Sequence, residues 1–556
     1  MTLHPHPVPP VPDATAAATE AAFPKGNPYI DLRAELGTLY SDALFLPLFQ
    51  PKGRLVEVAP WRLALILVLQ HLEGLTDRQA ADAVRRCIDW KYLLGLELTD
   101  PGFDFSLLSD FRERVLTGGL EQQFLDTLLI LFKQRGLLKA RGRQRTDSTH
   151  VLANVRTLNR LECVGETLRA ALNQLAVMVP AWLRAQVTPD WFDRYGARIE
   201  NYRLPTAESD RLTLAAQIGS DGFHLLEVIY DPTAPEWLQH VPAVAVLRHV
   251  WIQQYYGPPQ GDTPVRWRTI EDLPPGAQLI HSPYDVEARW CQKRQTIWVG
   301  YKVHITETCD DSDLNLITHV TTTPATTSDN VMVEPIHQAL ANKDLLPKEH
   351  LLDGGYVDAD QLVVSAQQHG VDVVGPVRPD QSWQARAKQG FDTACFMIDW
   401  DAQTVTCPRG QRSVQWKAGV DITGQDAIRV RFKKSDCLGC ADRSRCTQAQ
   451  SEPRELTFRP KAQWVALQAA RKRQQTNDFR AQYALRSGSE STISQATRGF
   501  DLRRTRYIGL AKTSLQHILI AVSINLSRFL VWLRGKPMGR LRMTPFGALA
   551  PSGGSP

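Results

Sequence analysis

Three acidic residues of this 556-residue chain stand in contexts that could hold divalent cations. Arg145-Thr146-Asp147-Ser148-Thr149-His150 sets a carboxylate among hydroxyls after a basic run. Leu351-Leu352-Asp353-Gly354-Gly355-Tyr356 puts a second at the end of an apolar strand, where glycine lets the chain turn away. Tyr483-x-x-Arg486-x-x-x-Glu490 is spaced so that all three side chains share one stripe of a helix. Carboxylates are the natural ligands of hard cations, and two such ions about 4 Å apart can activate a water and stabilise both oxygens of a phosphodiester displacement. Each acid also has an ordinary reading. Asp147 fits an N-cap or turn, Asp353 the first residue of a glycine turn, and Glu490 an ion-pair partner of Arg486. Asp285, Asp358 and Asp360 are rivals; Asp353 is preferred because Leu351 and Leu352 supply a rigid strand before it.

The elements that must position these acids read as mixed α/β. Residues 1–28, rich in Pro and Ala, suggest a disordered tail, and 29–138 a helical N-terminal domain. Within that domain Trp61–Leu72 is an apolar helix that Gly74 can end, and Thr76-Asp77-Arg78-Gln79 has capping-box form for the next helix. This spacing fits a helix-turn-helix DNA reader, and any small helical domain produces it too. A first core strand region falls at 139–156 and a mostly helical block at 157–281. Over 282–395 the alternation of Trp298–Thr306, then Leu314–Thr323, a helix at Val331–Ala341 and strands near His350–Asp353 and Gly370–Val377 give β-β-α-β-α-β. A Cys-bearing block spans 396–470, basic helices 471–535, and a flexible tail 536–556.

Composition adds bounds. A 43% hydrophobic and 22% charged chain is that of a folded protein with ample core, and a net charge of +5 does not by itself indicate nucleic acid. No secretory segment precedes the nine cysteines, and the apolar run Ile518–Leu533 is interrupted by Asn525 and Arg528. A cytoplasmic, nucleoid-associated protein without a membrane partner is expected.

Four cysteines, Cys407, Cys437, Cys440 and Cys446, include a C-x₂-C pair and could bind a structural Zn²⁺, organising a block with no core of its own, or stand as separate thiols. Arg498, Arg503, Arg504, Arg506 and Lys512 crowd one segment, with Arg471, Lys472 and Arg473 upstream. Such runs neutralise phosphates or simply solvate a helix face. Trp290 and Trp298 suit core packing or stacking on bases.

Taken together, the motifs resemble those of bacterial insertion-sequence transposases of the DDE class, in particular the insertion-sequence type 1182 group. Beyond the three acidic motifs, the likeness runs through Ser282-Pro283-Tyr284-Asp285 with Ala288-Arg289, Gly300-Tyr301-Lys302-Val303-His304, and the stretch from Leu502 to Gln516. The resemblance implies an RNase-H-like mixed-sheet catalytic core with two insertions, one helical and one Cys-bearing. Asp147 would lie on its first strand, Asp353 after the fourth and Glu490 on a late helix, together holding two Mg²⁺ or Mn²⁺ ions. It implies double-stranded DNA as partner (terminal inverted repeats and target), contacts from Tyr483, Arg486 and the basic run, at least a dimer at synapsis, and hydrolysis at transposon ends followed by 3′-hydroxyl strand transfer. The related signature carries Lys seven residues after the Glu; Thr497 stands there, with Arg498 beside it. A metal nuclease of the same fold without strand transfer, an inactive DNA-binding remnant and a zinc-stabilised regulator remain alternatives.

Overall fold

The computed structural model describes residues 1–258, 265–310, 314–422 and 424–535. The expected tail 536–556 lies outside the described residues.

Six strands form a mixed sheet: β1 (Arg143–Leu152), β2 (Arg289–Lys293), β3 (Thr296–Thr308), β4 (Ile317–Pro324), β5 (Glu349–Leu352) and β6 (Asp372–Val374). The order is β2-β3-β1-β5-β6, with β4 also on β3. β1 is the central strand, antiparallel to β3 and parallel to β5, and β5 is parallel to β6. β2 pairs with Thr296–Gly300 of β3 and β4 with Tyr301–Glu307. The alternation expected of β3 and β4 is therefore realised, but β3 is buried along nearly its whole length.

The helix Leu510–Leu533 explains that burial. Largely apolar and buried without a break over 515–526, it is of the kind that is stable only when enclosed, and it packs between β4 and the N-terminal helix Pro60–Leu72. One helix of the described residues is long and apolar enough to cross a membrane, and it is this one, 83% buried inside the protein. Two of its polar side chains act as pins. Asn525 accepts from Ile317 N at 2.8 Å and donates to Ile317 O at 2.8 Å, capping the edge of β4. Arg528 donates to Glu307 at 2.8 Å. One hydrophobic cluster consequently runs from Tyr29 through the sheet to Leu530, joining the N-terminal helices to the core.

Locally the N-terminal helices follow their sequence. Pro60 opens the first, Gly74 adopts φ 71° after it, and Thr76 with Gln79 closes a reciprocal capping box. The first residues differ from expectation: Asp13–Ala22 is a helix whose Thr15 hydroxyl donates to Leu96 O at 2.8 Å. Its alanines favour helix and its buried Thr15 and Thr19 seat it on the domain.

Two blocks carry cores of their own. Five helices from Arg160–Met178 to Pro242–Gln254 enclose a cluster that includes Leu168, Leu225, Leu247 and Trp251. In the Cys-bearing block, a three-stranded sheet (Ser413–Val420, Asp426–Phe432, Glu455–Phe458) and a two-stranded one bury Phe396, Val405, Val430, Phe432, Leu456 and Phe458. That block therefore has the small core that the sequence reading denied it.

Candidate functional site

Register brings two of the acids together. Thr146 of β1 stands opposite Leu352 of β5, so Asp147 and Asp353 lie one step further on neighbouring parallel strands, at the same level. Such strands are about 4.8 Å apart. Glu490 sits in the first turn of the helix Gly488–Phe500, which packs against β1. Asp147, Asp353, Glu490 and Arg486 line one cavity of about 330 Å³, together with Lys293, Arg294, Trp298 and Lys302. A second cavity of about 410 Å³ shares Asp147, Ser148, Thr149 and Glu490 and is walled by Ser494, Thr497, Arg498 and Arg503.

Arg486 is the hub. It donates to Asp147 Oδ2 at 3.0 Å and to Glu490 Oε1 at 2.8 Å. Burial alone would lower its pKa, yet Tyr483 and the carboxylates of Asp147 and Asp353 outweigh that and raise it. Burial pushes the Asp147 carboxyl above its ordinary range and the nearby Asp353 charge adds to this, against the Ser148 N–H and Arg486, which pull it down. The Ser148 N–H donates to Asp147 Oδ1 at 2.8 Å.

An all-carboxylate donor set with a destabilised Asp147 is chemistry suited to a hard divalent cation. Among the described residues, however, no three His, Cys, Asp or Glu side chains are grouped so as to hold a metal ion already. Arg486 stands where a cation would be shared between Asp147 and Glu490, so its guanidinium must yield one of them for an ion to be held by both.

Behind the acids lies a polar layer absent from the sequence reading. Lys302 donates to Thr327 O at 2.6 Å and to Asp329 Oδ1 at 3.0 Å, and Ser148 Oγ donates to the same oxygen at 3.2 Å. Burial would raise the Asp329 pKa, but Lys302 and Lys293 hold it below the usual range. The Tyr356 hydroxyl meets His304 Nδ1 at 2.6 Å. Burial lowers His304 to about 4, leaving a neutral ring at neutral pH. The Gly300–His304 motif carried a signal for this layer, since Lys302 and His304 project from one face of β3; Asp329 gave none.

The other nominated residues divide. Tyr483 stacks on Phe479, with centroids 5.5 Å apart, beside Arg486. Arg498 and Arg503 reach the second cavity, and Arg504 is exposed nearby. Arg506 instead donates to Leu75 O at 2.8 Å, and Lys512 pairs with Glu113 at 3.0 Å, so both face the N-terminal helices. Arg471 and Arg473 are spent on Arg378 O and Asp372. Trp298 is 4% exposed with its indole N–H on Tyr301 O, whereas Trp290 is 43% exposed. The rival acids are structural in their contacts: Asp285 accepts from Tyr301 and Gly509, and Asp358 caps the helix Ala359–His369, which contains Asp360 in its first turn. Cys407, Cys437, Cys440 and Cys446 are free thiols lining a cavity of about 40 Å³. Burial raises Cys446 to about 11, with Arg454 opposing and the other three thiols adding to the rise.

Comparison with known families accords with this geometry. Residues 406–530, which include Glu490, match the family model of a transposase DDE domain, and residues 18–114 match that of a transposase domain (DUF772). No curated protein matches the chain. The DDE domain makes this a catalytic transposase; that class binds DNA, uses divalent metal ions and carries an RNase-H core.

Proposed function

We propose that the protein cuts DNA at the ends of an insertion sequence and joins the freed 3′-hydroxyls to target DNA, with Asp147, Asp353 and Glu490 as the metal-binding acids. The observation that carries this reading is their meeting at one cavity, from β1, from the end of β5 and from a late helix. Two Mg²⁺ or Mn²⁺ ions held there would activate water and offset charge on the attacking and leaving oxygens. The chain's own contribution is positional. β1 and β5 fix two carboxylates at one level, Arg486 keeps Asp147 and Glu490 paired until they are needed, and Arg498 and Arg503 offer charge to phosphates beside the site. The helical and Cys-bearing blocks are, on this reading, insertions into the RNase-H core of a type 1182 element, working at the bacterial nucleoid.

Two subsidiary assignments accompany it. Convergence of four thiols on one small cavity supports a structural Zn²⁺ that would draw them closer, tested by metal content of the purified protein and of Cys440→Ser. Joining two ends calls for at least a dimer, tested by the mass of the DNA-bound complex. The main test incubates purified protein with a labelled end duplex and a target plasmid, with and without Mg²⁺. Metal-dependent cutting and joined products support transposition; cutting without joining reduces the reading to a nuclease; neither, with DNA still bound, leaves a DNA-binding remnant.

A further inference from the structure

We infer that the turn between β2 and β3 is a phosphate-gripping element, and that with Arg498 it holds the backbone of one DNA strand in a trough across the acids. This rests on the DNA-cutting reading above and adds to it the path of the substrate.

The two cavities flanking the acids share Asp147, Ser148, Thr149 and Glu490, so they are lobes of one trough. Lys293 and Arg294 of the turn line one lobe and not the other, and Arg498 and Arg503 line the other and not the first. Most basic groups along this path are already committed. Arg486 is held by Asp147 and Glu490, Lys302 and Lys293 by Asp329, and the Arg503 Nε donates to Thr149 at 2.9 Å. Arg294 and Arg498 are different. Both are exposed, and among the described residues neither guanidinium has a hydrogen-bond or ion-pair partner. Positive charge thus stands idle at both ends of a trough whose floor is negative. A lone anion could use one end only. A chain of phosphates, with one at the acids and neighbours on either side, uses both, as a DNA backbone does.

Backbone conformation supplies the means of testing this. Lys293 pairs with Thr296, leaving Arg294 and Gln295 as a two-residue hairpin turn. Arg294 has φ 57°, in the left-handed region where glycine or asparagine is favoured in such turns. An arginine there therefore carries a backbone cost that glycine would not.

Arg294→Gly separates the two roles, because it relieves the backbone while deleting the cation. The experiment measures fluorescence anisotropy of a labelled single strand, and of the same sequence as duplex, across a salt series without divalent ions. Melting temperature is recorded in parallel. Expected for Arg294→Gly is a few-fold weaker binding, a log-affinity against log-salt slope shallower by roughly one phosphate contact, and a melting temperature equal to or above wild type. Arg498→Ala should do the same to binding, and the double variant should lose both contacts. Unchanged affinity and slope in Arg294→Gly, or a lower melting temperature as its sole effect, overturns the trough. If that happens while wild type still cuts with Mg²⁺, the trough alone falls; a wild type that neither binds nor cuts overturns the DNA reading as well.

Discussion

Arg145 closes on Gly488, and a Cβ on that glycine would collide with the guanidinium. Arg145 is pinned there by Glu307 at 2.8 Å and by Leu485 O at 2.6 Å. It thereby fastens β1, two residues before Asp147, to the turn that carries Arg486 and leads into Glu490. Gly488→Ala is expected to displace the guanidinium and destabilise the protein by about 1–3 kcal/mol, the scale of overpacking a tight site. Chemical denaturation measures this, and cutting should fall further than stability because the turn moves. Wild-type values for both would contradict the arrangement.

Asp353→Asn removes the acid that raises its neighbour and, on the proposed reading, a metal ligand. Mg²⁺-dependent cutting should drop roughly a hundredfold or more, the scale for losing a group that stabilises transition-state charge, while DNA binding without metal persists. Asp358→Asn, at a carboxylate that caps the helix Ala359–His369 and accepts from Asn330 Nδ2 at 2.8 Å without lining the cavity, should cut normally. Equal losses in the two variants would count against Asp353.

Asp147 gives a pH-dependent prediction. Burial holds its carboxyl above the ordinary 3.8 of the unfolded chain. Below 3.8 the group is protonated in both states and its contribution is complete; as pH rises through the folded value, charge is forced into the site and that stability is lost. Without divalent ions, Asp147→Asn should therefore melt higher than wild type at neutral pH, with Arg486 still paired to Glu490. The gain should fade as pH falls toward 3.8, and Mg²⁺ should raise the melting temperature of wild type more than that of the variant. A variant melting below wild type at neutral pH would refute the burial argument.

Asn525→Ala strips both partners from the Ile317 backbone at the edge of β4. Two buried groups left unpaired cost about 1–3 kcal/mol each, so unfolding should be easier by at least about 2 kcal/mol in a urea titration. A loss below 0.5 kcal/mol, roughly that of a surface change, would show that the pin is dispensable.

How much of this was legible in the sequence follows from how local each signal is. Apolar Leu351-Leu352 before Asp353-Gly354 is a strand end on its face, and the alternation around Trp298–Thr306 needs no partner to be read. The capping box at Thr76 is equally local. Asp329 was invisible because its importance comes from Lys302, 27 residues away, across a packed layer. The helix at Asp13–Ala22 was hidden by neighbouring prolines, and its seat on Leu96 is a long-range contact. The core of the Cys-bearing block escaped notice because Phe432 and Phe458 end short strands, Phe396 precedes one, and the three are far apart in the chain. Arg294 gave no signal at all, since φ is not written in the letters. Arg506 and Lys512 looked like phosphate ligands because a charge run shows density of charge but not direction.

The position of Leu510–Leu533 has a bearing on biosynthesis. The apolar helix Pro60–Leu72 leaves the ribosome early, yet the partner that covers it is made more than four hundred residues later. At roughly 5–20 residues per second, the nascent chain carries that sticky face for on the order of tens of seconds. Chaperone supply and translation speed thus become determinants of how much transposase a cell obtains, and the sheet that holds the acids is not closed over until the last turn of chain arrives.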